Sequence, residues 1–211
     1  MTQLEIMGAN AKNASVFLRT AGSKKDDALL AIAKALREHS DEIIKANEID
    51  IENGKNAGLT ESLLDRLRLT PERINGMAEG VEQVAALADP IGNVLEGRTL
   101  KNGLNIEKVR VPMGVIGIIF EARPNVTSDA AALCLKAGSA VILRGGKEAI
   151  NSNLVVSEIM RNAVESVGFP KDCIALVKDT SRQSATELMQ LSDYLDVLIP
   201  RGGAGLIRSV V

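Results

Sequence analysis

Apolar residues recur at helical spacing through the first ninety residues of the chain. One such stripe runs from Leu29 to Ile43, and Ser23 to Asp26 just before it has the spacing of a capping box. Thr70-Pro71 marks a later helix start, because a cap residue is followed by Pro at the first helical position. Residues 1–92 are therefore predicted to form a helical amino-terminal region.

The pattern changes to two short segments between residues 93 and 112. Residues 94–100 and 104–111 flank Lys101-Asn102-Gly103, and the second segment clearly alternates apolar and polar positions. An Asn-Gly pair between two such segments is a strong hairpin signal. Residues 93–112 are therefore predicted to form a half-polar β-hairpin ribbon, whose open edge is suited to pairing with another chain.

From residue 113 to residue 211 the pattern alternates between strand and helix. Predicted strands cover residues 115–120, 140–143, 174–177 and 195–199, and predicted helices cover residues 127–137 and 149–167. A short helix capped by Asp179 or Thr180 follows the third strand, and a last helix opens at Gly202 to Gly205. Strands and helices in this alternation predict an α/β fold with a parallel sheet and right-handed crossovers. The chain ends inside the last predicted helix without a cap, which predicts a truncated longer protein.

Composition excludes some classes of protein but does not indicate a particular function. Hydrophobic residues make up 45% of the chain and aromatic residues 2%, so the predicted core is aliphatic. A net charge of −2 provides no electrostatic footprint for nucleic acid or an anionic membrane. The longest apolar stretch, residues 111–120, is shorter than the roughly 20 residues that span a bilayer. These features predict a soluble, cytoplasmic protein that uses local positive groups for any anionic ligand.

The cysteines and the single histidine do not form a metal-binding pattern. Cys134 lies among apolar neighbours, Cys173 stands near Lys171, which would lower its pKa slightly, and neither has a CxxC partner. His39 falls on the apolar stripe, which favours a packing role at a helix edge. We therefore expect no metal site, and structural roles for both thiols.

Three predicted strands end in residues that carry chemistry, and ligands gather at the carboxyl ends of strands in parallel sheets. After the first strand come Glu121, Arg123 and Asn125. Arg123 offers a planar fork that matches a phosphate or carboxylate, and the Asn125 amide is suited to an oxyanion. The structural alternative, about equally supported, is a turn in which Asn125 caps a helix and Glu121 pairs with Arg123.

The other two loops combine glycines with positive charge. Arg144-Gly145-Gly146-Lys147 lets the backbone approach a ribose or 2′-phosphate between two cations, although an ordinary solvated loop has the same composition. Pro200-Arg201-Gly202-Gly203 exposes amide N–H groups where a strand turns into a helix, and such N–H groups favour anions. Neither loop has the GxGxxG spacing of the dinucleotide fingerprint, so each is a weak signal when taken alone.

In this order and at this spacing, the loops resemble those of the γ-glutamyl phosphate reductases, a family within the aldehyde dehydrogenase superfamily. The matching segments are Val111–Gly117, Phe120–Pro124, Leu143–Ala149 and Ile199–Gly202. The resemblance covers essentially the whole chain, but only about the first half of the family's usual length. It implies an aldehyde dehydrogenase-like cofactor domain, with the hairpin as an oligomerisation ribbon and residues 113–211 as the cofactor-binding core.

The resemblance also implies an activity, a cofactor and partners. NADPH reduces γ-glutamyl phosphate, a small-molecule substrate, to glutamate 5-semialdehyde and phosphate in proline biosynthesis. The family's catalytic cysteine would lie beyond residue 211, so this chain by itself is predicted to be inactive. Expected partners are further copies of the chain, through the hairpin, and glutamate 5-kinase.

Residue roles are implied only where this sequence matches the family's motifs. The implied cofactor-binding residues are Arg144, Gly145, Gly146 and Lys147 at the adenosine ribose, and Pro200, Arg201, Gly202 and Gly203 beneath the pyrophosphate. Glu121, Arg123 and Asn125 match the loop that carries an oxyanion-hole asparagine in relatives, and we expect them to bind substrate. Two alternatives stay open: a fragment of another aldehyde dehydrogenase, such as a CoA-acylating one, and a non-catalytic nucleotide-binding or oligomerisation module.

Overall fold

The computed structural model describes residues 1–210, which form nine α-helices and six strands. Val211, at the end of the last predicted helix, lies outside the described residues. The helices are α1 (Gln3–Leu18), α2 (Lys24–Glu38), α3 (Ser40–Asn56), α4 (Glu61–Leu67), α5 (Pro71–Ala86), α6 (Asn125–Lys136), α7 (Ile150–Ser166), α8 (Arg182–Met189) and α9 (Ala204–Val210). The strands are β1 (Val94–Thr99), β2 (Asn105–Val109), β3 (Val115–Phe120), β4 (Ala140–Arg144), β5 (Ile174–Leu176) and β6 (Val197–Arg201).

Four strands form a parallel sheet in the order β5-β4-β3-β6, so the predicted α/β class is confirmed. Every residue of β3 is buried, which explains why the strand is an uninterrupted apolar run. β6 begins at Val197 and not at residue 195, because Leu195 N still donates to Leu191 O in the preceding turn. All four carboxyl ends therefore lie at one edge of the sheet.

Helices α1, α6 and α7 pack against the sheet, and α2, α3 and α5 pack against those helices. The core is aliphatic and rich in alanine, as the composition predicts; Ala28, Ala33 and Ala131 are fully buried. Within residues 1–210, no helix combines the length and apolar character needed to cross a membrane.

The predicted stripe through Ile43 belongs to two helices and not to one. The chain turns at His39, and α3 starts at the next residue, so the side chain of His39 is exposed beside Glu42 and does not pack. Leu36 and Ile43 are both fully buried, because each helix keeps its own apolar face inward. The expected packing role of His39 is therefore wrong.

The capping box lies at a different place from the one predicted. Ser23 has helical dihedrals and makes no capping bond, because backbone bonds from the turn at residues 21–23 already satisfy the first N–H groups of α2. The reciprocal box is at the start of α1: Thr2 Oγ1 accepts from Glu5 N at 3.2 Å, and Thr2 N donates to Glu5 Oε2 at 2.6 Å. Thr70 and Pro71 start α5 as predicted.

A buried carboxylate joins the helical region to the sheet. Asp50 on α3 is 1% exposed and accepts four hydrogen bonds from the start of α7. The donors are the backbone N–H groups of Asn151 and Ser152, the Asn151 amide and the Ser152 hydroxyl, at 2.6 to 3.1 Å. Asp50 thus satisfies the free N–H groups of a helix that begins directly after the Arg144 loop.

The predicted hairpin is confirmed. β1 pairs antiparallel with β2, and Gly103 closes the turn with a φ of 86°, a backbone angle that suits glycine. Every residue of both strands is exposed, including the side chains of Val94, Leu95 and Ile106. The ribbon contributes nothing to the core, and no part of residues 1–210 covers its apolar side chains.

Helix α8 is capped by Ser181, and not by Asp179 or Thr180. Ser181 Oγ accepts from Ser184 N at 3.2 Å, and Asp179 accepts in turn from both the N–H and the hydroxyl of Ser181. The Asp179 carboxylate therefore holds the capping residue Ser181 in place.

Candidate functional site

The loops after β3, β4 and β6 meet at the carboxyl edge of the sheet. A Cβ atom on Gly202 would lie 2.7 Å from Glu121 Cδ, and one on Gly146 would lie 3.3 Å from the Glu121 backbone carbon. A side chain at Gly202 would push against the side chains of Glu121 and Leu206, and one at Gly146 would push against the Glu148 carboxylate and the backbone at residues 121–122. The structure thus brings all three predicted loops together around Glu121.

Glu121 is held by the turn after β6. Its Oε1 atom accepts the Gly203 N–H at 3.1 Å, which is the kind of contact that an anionic ligand makes with such a turn. The structural alternative for this loop is wrong on both points: Glu121 does not pair with Arg123, and Asn125 is the first residue of α6 with Pro124 at the cap position.

The Arg123 side chain lines a cleft of about 400 Å³ between the loop after β3 and helix α4. Arg66, Arg123 and Arg201 line this cleft, and Glu121 is the one carboxylate beside them. Within residues 1–210, none of the three guanidinium groups has a carboxylate within 4.0 Å. We call this space the arginine cleft.

Asn125 lies deeper, beside a carboxyl group on the same helix. Its Nδ2 atom donates to Asp129 Oδ2 at 3.0 Å, and this hydrogen bond uses one of the two N–H groups of the amide. Burial raises the pKa of Asp129 above its ordinary value, against the opposing charge of Arg201 and the bond from Asn125. Both side chains border a second space, of about 560 Å³, that also includes Arg66 and Arg123.

Arg144 ties the loop after β4 to the segment that follows β5. Its Nη2 atom donates to the carbonyl oxygens of Thr180 at 2.8 Å and Ser181 at 3.0 Å. Burial lowers the pKa of the guanidinium from its ordinary value, while the charges of Asp179 and Glu148 act in the opposite direction. Lys147 is exposed, and it borders a cleft of about 620 Å³ that reaches Glu121.

Two buried donors beside Gly145 have no acceptor among the described residues. They are Arg144 Nε and Asn153 Nδ2. Asn153 is fully buried, and its Oδ1 accepts from Thr127 Oγ1 at 3.0 Å, so only its amide nitrogen is left without a partner. A Cβ atom on Gly145 would lie 2.3 Å from Asn153 Nδ2. Buried donors without acceptors are rare in folded proteins, and both of these are closed off from solvent in the present arrangement of the loop after β4.

The sequence alone did not indicate Arg66, Asn153 or the Thr180 carbonyl as part of the site. Arg66 lies on α4, which is fifty-five residues before Glu121 along the chain but lines the same cleft. Its signal was weak: Arg66 and Arg68 alternate with leucines in a short helix, a pattern that is also typical of a solvated surface. Asn153 carries no sequence signal at all.

The two cysteines are structural. Cys134 on α6 and Cys173 before β5 are both buried, and burial raises the pKa of each thiol to about 12. The expected effect of Lys171 on Cys173 is therefore wrong, because desolvation outweighs any neighbouring positive charge. Neither thiol is a nucleophile at neutral pH.

We expect both thiols of the folded chain to react with iodoacetamide about a thousandfold more slowly than free cysteine at neutral pH, because a pKa near 12 leaves almost no thiolate. Mass spectrometry of the alkylated protein measures this rate. Chain unfolded in urea is the control and should react at the rate of free cysteine. Rapid labelling of either thiol in the folded chain would contradict the structural assignment.

Metal ligands do not gather anywhere in residues 1–210: no three His, Cys, Asp or Glu side chains come together in a way that would hold an ion. The charged groups at the carboxyl edge are mainly arginines and a lysine. The site is therefore equipped for phosphate and carboxylate groups.

Comparison with known protein families gives one match over most of the chain. Residues 2–198 match the model of the aldehyde dehydrogenase family. Among curated relatives, γ-glutamyl phosphate reductase of Clostridium beijerinckii is 54% identical over 212 aligned positions, and the enzyme of Clostridium novyi is 57% identical over 187. The first alignment covers 100% of this chain and 51% of the relative, and the second covers 89% and 45%.

Solved structures agree with this match. γ-Glutamyl phosphate reductase of Thermotoga maritima superposes with a TM-score of 0.97 at 40% identity, over 99% of this chain and 51% of the other. The Saccharomyces cerevisiae enzyme superposes with a TM-score of 0.92 at 33% identity, over 100% and 54%. This chain therefore spans about half the length of the relatives it matches, and the resemblance inferred from its loops is confirmed.

Proposed function

The chain belongs to the aldehyde dehydrogenase family, and from this membership we propose that it is the nucleotide-binding half of a γ-glutamyl phosphate reductase. The complete enzyme would use NADPH to reduce γ-glutamyl phosphate to glutamate 5-semialdehyde and phosphate, a step of proline biosynthesis. The observation that carries the proposal is the meeting of the three loops at the carboxyl edge of the sheet. That edge is where open parallel sheets bind nucleotides.

The cofactor would lie across the loops after β4 and β6. Arg144, Gly145, Gly146 and Lys147 would hold the adenosine ribose and its 2′-phosphate, and three of them, Arg144, Gly146 and Lys147, border the cleft of about 620 Å³. The turn at residues 200–203 would approach the pyrophosphate, because Gly202 leaves room for close backbone contact. The bound cofactor supplies the hydride. The Glu121 carboxylate, which accepts the Gly203 N–H, would have to move away from this N–H when the cofactor binds.

The substrate would lie on the Arg123 side of Glu121. Arg123 offers parallel N–H bonds to a phosphate, and Asn125 retains one amide hydrogen for a developing oxyanion. Glu121 is the one carboxylate that lines the arginine cleft, and Asp129 borders the adjoining space, so both limit where a negative charge can approach. We therefore assign Glu121, Arg123 and Asn125 to substrate binding.

The catalytic cysteine of the complete enzyme would lie in the part of the relatives that this chain does not span. Cys134 and Cys173 are excluded by their burial and raised pKa. A cysteine that attacks the acyl phosphate forms a thioester, which is a good hydride acceptor, and phosphate is a good leaving group. We therefore expect no reductase turnover from residues 1–211 alone.

The hairpin is the proposed oligomerisation element. Its strands carry exposed apolar side chains, and its outer edges are free to pair with another chain. A homo-oligomer would cover these surfaces. Glutamate 5-kinase, which makes the unstable acyl phosphate, is the proposed functional partner, and a cytoplasmic location fits both enzymes.

Titration of the 211-residue chain with NADPH, NADH and CoA tests the proposal. We expect NADPH to bind about tenfold more tightly than NADH, because a 2′-phosphate adds charge-assisted bonds at Arg144 and Lys147. Tighter binding of CoA would favour a CoA-acylating aldehyde dehydrogenase. Binding of none of the three would favour the non-catalytic module. That module is the second candidate for this chain by itself, because both of its cysteines are buried.

A further inference from the structure

Five arginines lie in the two adjoining spaces beside the loop after β3, and they differ in what holds them. Arg66, Arg68, Arg73 and Arg123 border the larger space, and Arg201 joins Arg66 and Arg123 in the arginine cleft. Sequence motifs had indicated Arg123 and Arg201 only.

Arg73 is committed to the fold, and Arg68 has a carboxylate neighbour. Arg73 Nη1 donates to the carbonyl oxygens of Asp65 and, at 2.8 Å, of Arg68, and its Nη2 donates to Asp65 Oδ1 at 2.8 Å. These bonds satisfy the open carbonyl groups at the end of α4. Arg68 has a carboxylate, Glu61, at 3.8 Å. Arg73 therefore has a structural role, and the charge of Arg68 is partly offset by an exposed neighbour.

Arg66 has no such partner among the described residues. No hydrogen bond or ion pair to its guanidinium is present within residues 1–210, and its side chain borders both spaces. A cation in the last turn of α4 is mildly favoured by the helix dipole. That effect does not account for two further unpaired arginines, Arg123 and Arg201, around the same cleft.

The backbone that carries Arg66 is fixed in place. Leu64 and Leu67 of α4 are buried, so the opposite face of the helix points to the cleft. Just after the helix, the buried Asn47 donates to Leu67 O at 2.8 Å and accepts from Leu69 N at 2.7 Å. The position of Arg66 opposite Arg123 is therefore built into the packing of α3 against α4.

Three guanidinium groups without an ion pair line one small cleft and repel one another. Glu121 in the cleft, and Asp129, which borders the adjoining space and interacts with Arg201, offset only part of that charge. A phosphate dianion between two of them would relieve the repulsion and gain charge-assisted bonds from both planar forks. We propose that Arg66 and Arg123 form a clamp for the phosphate group of the ligand. Arg123 would bind it from the loop after β3, and Arg66 would bind it from α4. The identity of that ligand as an acyl phosphate rests on the proposed function; the clamp for phosphate does not.

The test is a titration of the 211-residue chain with inorganic phosphate at about pH 8, where phosphate is mostly a dianion. Binding is followed by NMR at the backbone N–H groups of residues 65–67 and 121–126. Arg66→Gln and Arg123→Gln should each weaken binding about tenfold, because each removes a charged hydrogen-bond donor. Arg66→Lys should recover only part of the loss, since a point charge lacks the fork.

Arg19→Gln is the matched control, because it removes the same charge at the opposite edge of the sheet. Arg19 is exposed and lies near Asp196, whose carboxylate accepts the N–H of Val115 at the amino end of β3. Its substitution should leave phosphate binding unchanged. Circular dichroism and the unfolding midpoint of each variant confirm that the surface substitutions leave the fold intact.

Several outcomes would overturn the clamp. Equal weakening by Arg19→Gln would mean general attraction, unchanged binding in Arg66→Gln would remove Arg66 from the site, and no binding to the wild-type chain would remove the site itself. Displacement of phosphate by an equal concentration of glutamate would assign the arginines to a carboxylate instead. NADPH binding in the same samples separates the two ideas, because its absence counts against the proposed function and not against the clamp.

Discussion

Replacing Asp50 with alanine is expected to lower the free energy of unfolding by about 4 kcal/mol. The carboxylate is 1% exposed and is the acceptor for four donors at the start of α7. Its removal leaves those N–H and O–H groups buried without partners, and it opens a cavity between α3 and α7. Because domains are stable by only about 5–15 kcal/mol, this single change removes a large share of the total.

Urea denaturation of the 211-residue chain measures the effect. Glu52→Ala is the matched control, because it removes an exposed carboxylate from the same helix, and it should change the free energy of unfolding by less than about 0.5 kcal/mol. A loss of under about 1 kcal/mol in Asp50→Ala would mean that water replaces the carboxylate. It would contradict the role of Asp50 as the anchor of α7.

Replacing Arg123 with alanine should raise the KM for γ-glutamyl phosphate about a hundredfold. The measurement uses a full-length reductase that carries this sequence as its amino-terminal half. Within residues 1–210 the Arg123 side chain makes no hydrogen bond or ion pair, so the change removes binding energy without breaking a structural contact. The effect should fall on the acyl phosphate and leave the KM for NADPH nearly unchanged, because the proposed cofactor loops lie on the other side of Glu121.

Steady-state kinetics with each substrate varied in turn separate these effects. Arg19→Ala, at the opposite edge of the sheet, should match the wild-type enzyme in both constants. An unchanged KM for the acyl phosphate would exclude Arg123 from substrate binding. Equal increases for both substrates would mean that Arg123 supports the whole edge and does not contact the phosphate.

The sheet and its loops could be predicted because their signals are local. β3 is apolar at six consecutive positions and ends in charged residues, so its strand and its functional end could both be identified from the sequence. The Asn-Gly pair of the hairpin sets its turn in the same way. Parallel order then follows from the alternation with helices, which places the three loops at one edge.

Other features depend on packing that the sequence does not display. The break at His39 has no Gly or Pro to mark it, and Ser23 fails as a cap because the preceding turn already bonds the first N–H groups of α2. Arg66 reaches the site only through the packing of α4, which Asn47 fixes from inside the core. The partner of the Glu121 carboxylate, the Gly203 N–H, also lies 82 residues further along the chain.

The central claim is that the loops after β3, β4 and β6 form one nucleotide site, and mapping NADPH onto the chain by backbone NMR tests it most directly. We expect the largest shifts on adding NADPH at Gly146, Lys147, Gly202 and Gly203, with Glu121 moving as its bond to Gly203 is displaced. Shifts confined to another surface, such as the groove between α1 and α7, or no shifts at saturating NADPH, would contradict it.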